Sequence, residues 1–427
     1  MAGPAAIGNW TYASDPTSMI SRVPGPLRER EFRLLFLGRT ISFTGSAFAN
    51  VALAFAVLDL TGSKADLGFV LAARALPQLL FLLAGGIWAD RLPRHRVMVG
   101  SNLLSAAAQG AVAALLLSGH ARIWELIVLA AAGGSSAAFF FPASTGIVPQ
   151  TVSASMLQGA NALLRLGLNS SMIAGASLGG LLIAFSGPGW GLAVDALSFA
   201  LAALAFSFVR VPAARVAAEH RPGALSELRI GWTEFVSHTW VWVVVVAFFF
   251  VNAAYAGGTM VLGPVIADTV IGRETWGLVL AAQTTGMLAG AFVAMRVHVR
   301  RLLLGVTCVA AFSFLPLTLA LHPAPWLLMI AAFLCGLAME QFGVAWETSL
   351  QHHIPEDRLA RVYSYDMLGS IAAVPLAQLV VGPVSGLAGI TATLLGCAVI
   401  QVAATLLMVA SRSVRSVENT PSVAPVL

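Results

Sequence analysis

Long apolar runs constrain this chain more than any other feature. Twelve blocks of about 20 or more mostly apolar residues, the length that crosses a bilayer, can be marked at 32–58, 66–89, 97–118, 123–145, 154–184, 189–209, 238–267, 275–296, 301–321, 325–350, 360–385 and 388–410. In hydrocarbon every backbone N–H and C=O must find a partner within the protein, so only helices or closed barrels can span. Continuous runs rather than alternation carry the signal, which excludes a β-barrel. Only 10% of the 427 residues are charged, against roughly 25% in a soluble domain. The expected fold is an all-α membrane protein.

Two stretches repeat at an offset of 209 residues: Asp59 with Gly68-Phe-Val-Leu-Ala-Ala-Arg74, and Asp268 with Gly277-Leu-Val-Leu-Ala-Ala-Gln283. That offset is close to half the chain, so the protein reads as two homologous six-helix bundles. The predicted organisation is a tail over 1–30, a first bundle over 31–209, a linker over 210–237, a second bundle over 238–411 and a tail over 412–427. A duplicated body in lipid suggests a secondary transporter that handles its solute between the repeats.

Arginine placement sets the expected orientation. With an internal N-terminus, 18 of the 24 basic residues fall on cytoplasmic segments and 3 on external ones. Arg39, Arg74 and Arg165 lie within spans. The positive-inside rule then puts both termini in the cytoplasm. The pI of 9.6 reflects these scattered clusters and gives no reason to expect nucleic acid as a partner. One lysine against 23 arginines suits a GC-rich bacterial genome, hence a bacterial plasma membrane. Cys308, Cys335 and Cys397 lie in apolar stretches without metal-ligand spacing and read as small core residues. His352-His353 reads as part of a solvated turn rather than a metal site.

After the second block the chain reads Gly85-Gly86-Ile-Trp-Ala-Asp90-Arg91-Leu-Pro93-Arg94-His95-Arg96. This resembles the signature loop of the major facilitator superfamily, Gly-x-x-x-Asp-Arg-x-Gly-Arg-Arg/Lys, in the cytoplasmic turn between spans two and three. Pro93 stands where the family usually has glycine, and His95 where a basic residue is common. The resemblance implies a conformational latch built from Gly86, Asp90, Arg91 and Arg94, which holds the halves together in the outward-open state. Gly175-Ala176-Ser-Leu-Gly179-Gly180 in span five is similar to the Gly-Pro-x-x-Gly-Gly element of antiporters, with alanine for proline. Plain helix packing by small residues explains Gly175 and Gly179 equally well. Gly382-Pro383-Val-Ser-Gly386 looks like its counterpart in the second half.

Phe139-Phe-Phe-Pro142-Ala143 through Val148-Pro149 to Ala160-Asn161, with Asp195-Ala-Leu-Ser-Phe199 and Arg361-Val-Tyr-Ser-Tyr-Asp366, is similar to the branch with macrolide-efflux proteins and the enterobactin exporter. That resemblance implies export of a drug, secondary metabolite or siderophore by alternating access. It also places Asn161, Arg165, Arg361 and Asp366 at the inner gate and in packing between halves. Without a Gly-Lys-Ser/Thr phosphate loop, ATP is not the direct energy source, and no cofactor is expected. The expected partners are a small-molecule substrate, protons and the bilayer, with the chain a monomer. An uptake carrier of the same fold, a non-transporting sensor and an intramembrane enzyme using Glu340 with Arg39 are the alternatives.

Ionisable groups inside a span cost about 2.5–3.5 kcal/mol each on insertion scales. Glu340 lies near the middle of span ten, and Glu347 follows seven residues later, almost two turns on the same face. Span ten lines the central cavity in this superfamily. Desolvation disfavours the charged carboxylate there, so Glu340 can load and release a proton near neutral pH. A permanent ion pair or hydrogen bond is the competing role. Arg74, whose repeat counterpart is Gln283, either pairs with Asp195 or faces the cavity. Asp59 and Asp268 are expected to cap matching external turns. Trp240 and Trp242 read as interface anchors. Phe249, Asn252 and Tyr255 either line the cavity or pack toward lipid.

Overall fold

The computed structural model describes residues 25–211, 232–296 and 302–417. Within these, the side-chain surroundings of 82–91, of several residues over 154–184, of 295–296, and of 356, 357, 360, 361 and 364 lie outside the description. All described elements are helices: α1 (Arg30–Thr61), α2 (Lys64–Arg91), α3 (Arg94–Leu117), α4 (Ile123–Gly146), α5 (Leu157–Ser186) and α6 (Pro188–Ser207). The second part holds α7 (Thr239–Ile271), α8 (Arg273–Arg296), α9 (Leu302–Leu321) and α10 (Pro325–His353). It continues with α11 (Glu356–Ile371), α12 (Ala373–Ala388), α13 (Ile390–Ala410) and the short α14 (Arg412–Arg415). Among the described residues, ten helical spans are long and apolar enough to cross a membrane. α2 and α5 carry stretches outside the description and are not in that number.

The helix ends follow from local chemistry. Gly62 takes φ +62° after α1 and donates its N–H to the Leu58 carbonyl at 2.8 Å, a left-handed cap that turns the chain directly into α2. α7 does not stay α-helical. Ala256–Leu262 and Ala267–Ile271 are π-helical, and Gly257, against Val381, lies in the first of them.

Small residues set the crossings, because without water to drive association helices in lipid gain from close backbone approach. Gly134 of α4 lies against the carbonyl of Arg74 on α2, and Gly336 of α10 against the carbonyl of Gln283 on α8. Arg74 and Gln283 are repeat equivalents, so one crossing occurs twice. Gly175 and Gly179 of α5 lie against Ala47 and Phe48 of α1, which is the packing role for that element. Between the halves, α5 packs on α8 and α2 on α12. There Gly68 meets the Gln378 carbonyl and Gly382 meets Ala65.

The apolar core is shared at one end of the molecule and divided at the other. One cluster joins Phe55, Leu58 and Leu67 of the first half to Leu262, Trp276 and Val381 of the second. At the end where the described chain starts and stops there are two separate clusters. Phe32, Met98 and Phe206 belong to the first half alone, and Trp240, Leu350 and Val414 to the second. Large side chains such as Phe185 (83% exposed) and Leu387 (93%) point outward, as expected of a multi-pass protein whose outer surface meets lipid rather than water.

Two boundaries shift from the sequence expectation. Residues 232–237, assigned to the linker, are helical: Trp232 stacks on Phe235 and meets Tyr365, and Glu234 pairs with Arg358 at 2.6 Å. Residues 212–231 of that linker lie outside the described residues. In the expected C-terminal tail, Val414 of α14 is fully buried.

Candidate functional site

The polar residues inside the spans sort into three groups. The first crosses between the halves near the end where the core is divided. Arg165 lies about 12 Å into α5, and Glu347 about 9 Å from the end of α10, at 1.5 Å per residue. The Arg165 guanidinium approaches the Glu347 carboxylate to 3.7 Å. Both side chains are open, at 74% and 48% exposure, so the pair bridges a gap rather than a packed seam. Glu340 is half-buried two turns deeper on α10, with Gly290 of α8 against its Cβ. It lies within electrostatic reach of both Arg165 and Glu347. The expected shared face of Glu340 and Glu347 therefore also meets a cation from the other half. Asn161, one turn before Arg165, is exposed.

The second group sits inside the second half. The Asp366 carboxylate accepts a hydrogen bond from the Trp346 indole at 2.9 Å and from the Ser370 hydroxyl at 3.2 Å, tying α11 to α10. Asn252 donates to the Ser370 carbonyl at 2.9 Å. The Tyr255 hydroxyl donates to Gln283 at 3.3 Å, and the Gln283 amide points at the sulfurs of Cys335 and Met339 at 3.6 Å. Asn252 and Tyr255 thus fasten α7 to its neighbours. Phe248 stacks on Phe342 with centroids 4.0 Å apart. Trp240 is 7% exposed and packs edge-on against Trp346. It is a core residue, not the interface anchor expected from its place near a span end; Trp242 is exposed.

The third group is in the first half. Asp195 of α6 is fully buried. Its oxygens accept from Gln109 of α3 at 2.7 Å and from Ser46 of α1 and Ser198 of α6 at 3.4 Å each. A direct Arg74–Asp195 ion pair is absent: Arg74 is near enough for its charge to be felt, but Gln109 and two serines occupy the carboxylate. Hydrogen-bonded amides and hydroxyls are the usual requirement for a buried carboxylate. Arg39 donates to the Ser144 carbonyl at 3.3 Å and lies 5.4 Å over the Phe43 ring. It belongs to the first half's own packing and not with Glu340.

Of the signature loop, Gly86, Asp90 and Arg91 fall in the stretch whose side-chain surroundings lie outside the described residues; those of Arg361, on α11, lie outside them too. Arg94 is described, and its guanidinium donates to the Gly146 carbonyl, pinning the start of α3 to the end of α4.

At the opposite end, sequence reasoning missed a cluster. Arg273, the first residue of α8, donates through Nε to Asp268 at 2.8 Å and through Nη1 to Asp59 at 3.0 Å, with Nη2 also on both carboxylates. Asp59 and Asp268 therefore share one arginine instead of capping their own turns. The signal was present: five residues after each repeated aspartate stands a base, Lys64 in the first half and Arg273 in the second.

With this geometry in place the chain can be set beside known proteins. The sequence profile of the transmembrane secretion effectors, a family of the major facilitator superfamily, matches residues 22–425. The chain belongs to that family. It is a membrane transporter and not an enzyme. It is 27% identical over 375 residues to the multidrug efflux pump Tap of Mycolicibacterium fortuitum, across 85% of this chain and 90% of Tap. It is 23% identical over 182 residues to macrolide efflux protein A of Streptococcus pyogenes, across 43% of this chain and 45% of that protein. The nucleoside transporter NupG superposes with a TM-score of 0.67 at 14% identity, covering 88% of this chain and 98% of NupG. At that identity the likeness speaks for the fold alone.

Proposed function

We propose that this transporter exports a small amphipathic compound (a drug, secondary metabolite or siderophore) from a bacterial cytoplasm, driven by proton entry. In this reading twelve spans form two six-helix bundles, both termini are cytoplasmic, and the chain works as a monomer in the plasma membrane. The halves rock about a site between them, and the arrangement described above is the inward-facing one. The observation that carries the reading is the bridge of Arg165 to Glu347 above Glu340. It puts a half-buried carboxylate and an exposed cation on opposite walls of the gap where the apolar core is divided.

Glu340 is the proton-coupling group. As the halves close, Arg165 and Glu347 change their distance to it. A change in neighbouring charge alters how readily a carboxylate holds a proton, so movement and protonation are linked. The efflux relatives support the direction of transport, and the sequence carries no phosphate loop through which ATP could drive it.

The test uses inside-out vesicles from an efflux-deficient host expressing the full chain, with a labelled macrolide as solute and an imposed pH gradient, acid inside. Accumulation that collapses on adding a protonophore is the expected result. Accumulation only in right-side-out vesicles would make the protein an uptake carrier. Full gradient-driven accumulation by Glu340→Gln would remove Glu340 from proton coupling.

A further inference from the structure

The end of the molecule opposite the described termini carries two basic residues at equivalent places in the repeats, and each reaches into the other half. Lys64 follows Asp59 by five residues across Gly62, and Arg273 follows Asp268 by five across Gly272. Both glycines have positive φ, +62° and +89°, so each loop turns sharply and sets the base at the first position of the next helix. Lys64 opens α2 and donates through Nζ to the Ser385 carbonyl on α12 at 3.0 Å. Arg273 opens α8 and reaches Asp59 on α1, with its guanidinium 4.8 Å over the buried Phe55 ring.

We infer that Lys64 and Arg273 are a reciprocal pair of staples between the halves, which hold this end shut in the observed state and release when it opens. The inference rests on the alternating-access reading above. Four features support it. The two bases hold the same repeat position and each reaches across, onto different partners (the Ser385 carbonyl of α12 and the Asp59 carboxylate of α1), which helix packing alone does not require. Each contact crosses between halves, whereas Asp268 binds Arg273 from within its own half and so aims it. The cluster closes over the one apolar core that both halves share. Its three side chains keep 25–42% of their exposure, so the bonds can exchange for water without stranding a buried charge. Arg273 is the stronger staple, because a bidentate arginine–carboxylate contact holds geometry better than an ammonium on a single carbonyl.

A pair this exposed biases the balance between states only modestly, and about a fivefold change in the open-to-closed ratio is expected on its loss. The experiment is pulsed electron-spin distance measurement on the full chain in nanodiscs. Spin labels go on Leu60→Cys and Val270→Cys, both exposed, after Cys308, Cys335 and Cys397 are replaced by serine. Arg273→Gln is expected to raise a longer-distance population about fivefold, Arg273→Lys to leave most of the short one, and Lys64→Gln to add to the first. An unchanged distribution in Arg273→Gln, or equal opening in Arg273→Lys, overturns the inference. If Arg273→Gln fails to fold, Asp59→Asn reads the cross-half contact alone. Opening in that variant supports the staple, and no opening overturns it. The readout needs no solute flux, so failure of the export reading leaves this result standing.

Discussion

Arg165 of α5 and Glu347 of α10 meet at 3.7 Å between the halves, with both side chains largely open to solvent. Such a pair contributes little to stability, about 0–1 kcal/mol. Its weight is on function, because in the proposed rocking motion it links two walls that change their separation. Arg165→Gln is therefore expected to leave the thermal unfolding midpoint within about 2 °C of the parent while lowering transport about tenfold or more. A large drop in midpoint with proportionate loss of transport would instead make the pair structural. Thermal unfolding and vesicle flux on the same preparation decide it.

The repeated crossing makes a second expectation specific. A Cβ on Gly134 or Gly336 runs into the backbone carbonyl of Arg74 or Gln283, and backbone cannot step aside as a side chain can. Overpacking of this kind costs about 1–3 kcal/mol. Gly134→Ala and Gly336→Ala should each lower the unfolding temperature. Gly133→Ala and Gly343→Ala, which meet nothing within 4 Å, should not. Equal behaviour of all four would contradict the crossings described.

Much of this fold was legible because hydropathy and helix length are local properties. The blocks predicted at 97–118 and 123–145 are α3 over Arg94–Leu117 and α4 over Ile123–Gly146. The family followed from motif residues, and the matched profile bears it out. What the sequence hid was partner choice. Asp195 could be ranked as an intramembrane carboxylate, but nothing local says that Gln109, 86 positions away, is its donor. Trp240 looked like an anchor because belt position and core position share the same span end, and only tertiary packing against Trp346 separates them. The Asp59–Arg273 bridge joins residues 214 apart. Its repeat signature was visible, but its crossing between halves was not. The π-helical turns of α7 leave no mark in apolar periodicity, because α7 is apolar nearly all round.

The buried Asp195 network yields a third expectation. Removing the carboxylate with Asp195→Ala leaves the Gln109 amide and the Ser46 hydroxyl without this acceptor, whereas the Ser198 hydroxyl keeps the residue's backbone carbonyl at 2.8 Å. Each unsatisfied buried group costs about 1–3 kcal/mol. Asp195→Asn keeps an acceptor oxygen and should cost less. In a double-mutant cycle, Gln109→Leu with Asp195→Leu should show a coupling of about 1 kcal/mol or more, read from thermal unfolding. Additive effects would mean that the 2.7 Å contact carries no net interaction.

Gln401 of α13 gives the opposite sign. Its side chain is fully buried, and neither its amide oxygen nor its nitrogen has a hydrogen-bond partner among the described residues. A polar group buried without a partner costs roughly 1–3 kcal/mol on protein mutational scales. Methionine has nearly the same length and volume and carries no such requirement. Gln401→Met should therefore stabilise the transporter, raising the unfolding midpoint in detergent by about 2 °C or more, with flux unchanged. Gln401→Ala should do worse than Gln401→Met, because it removes the same polar atoms but leaves a cavity. Destabilisation by Gln401→Met would show that the amide has a partner in the membrane, such as a bound water, that its packing does not reveal.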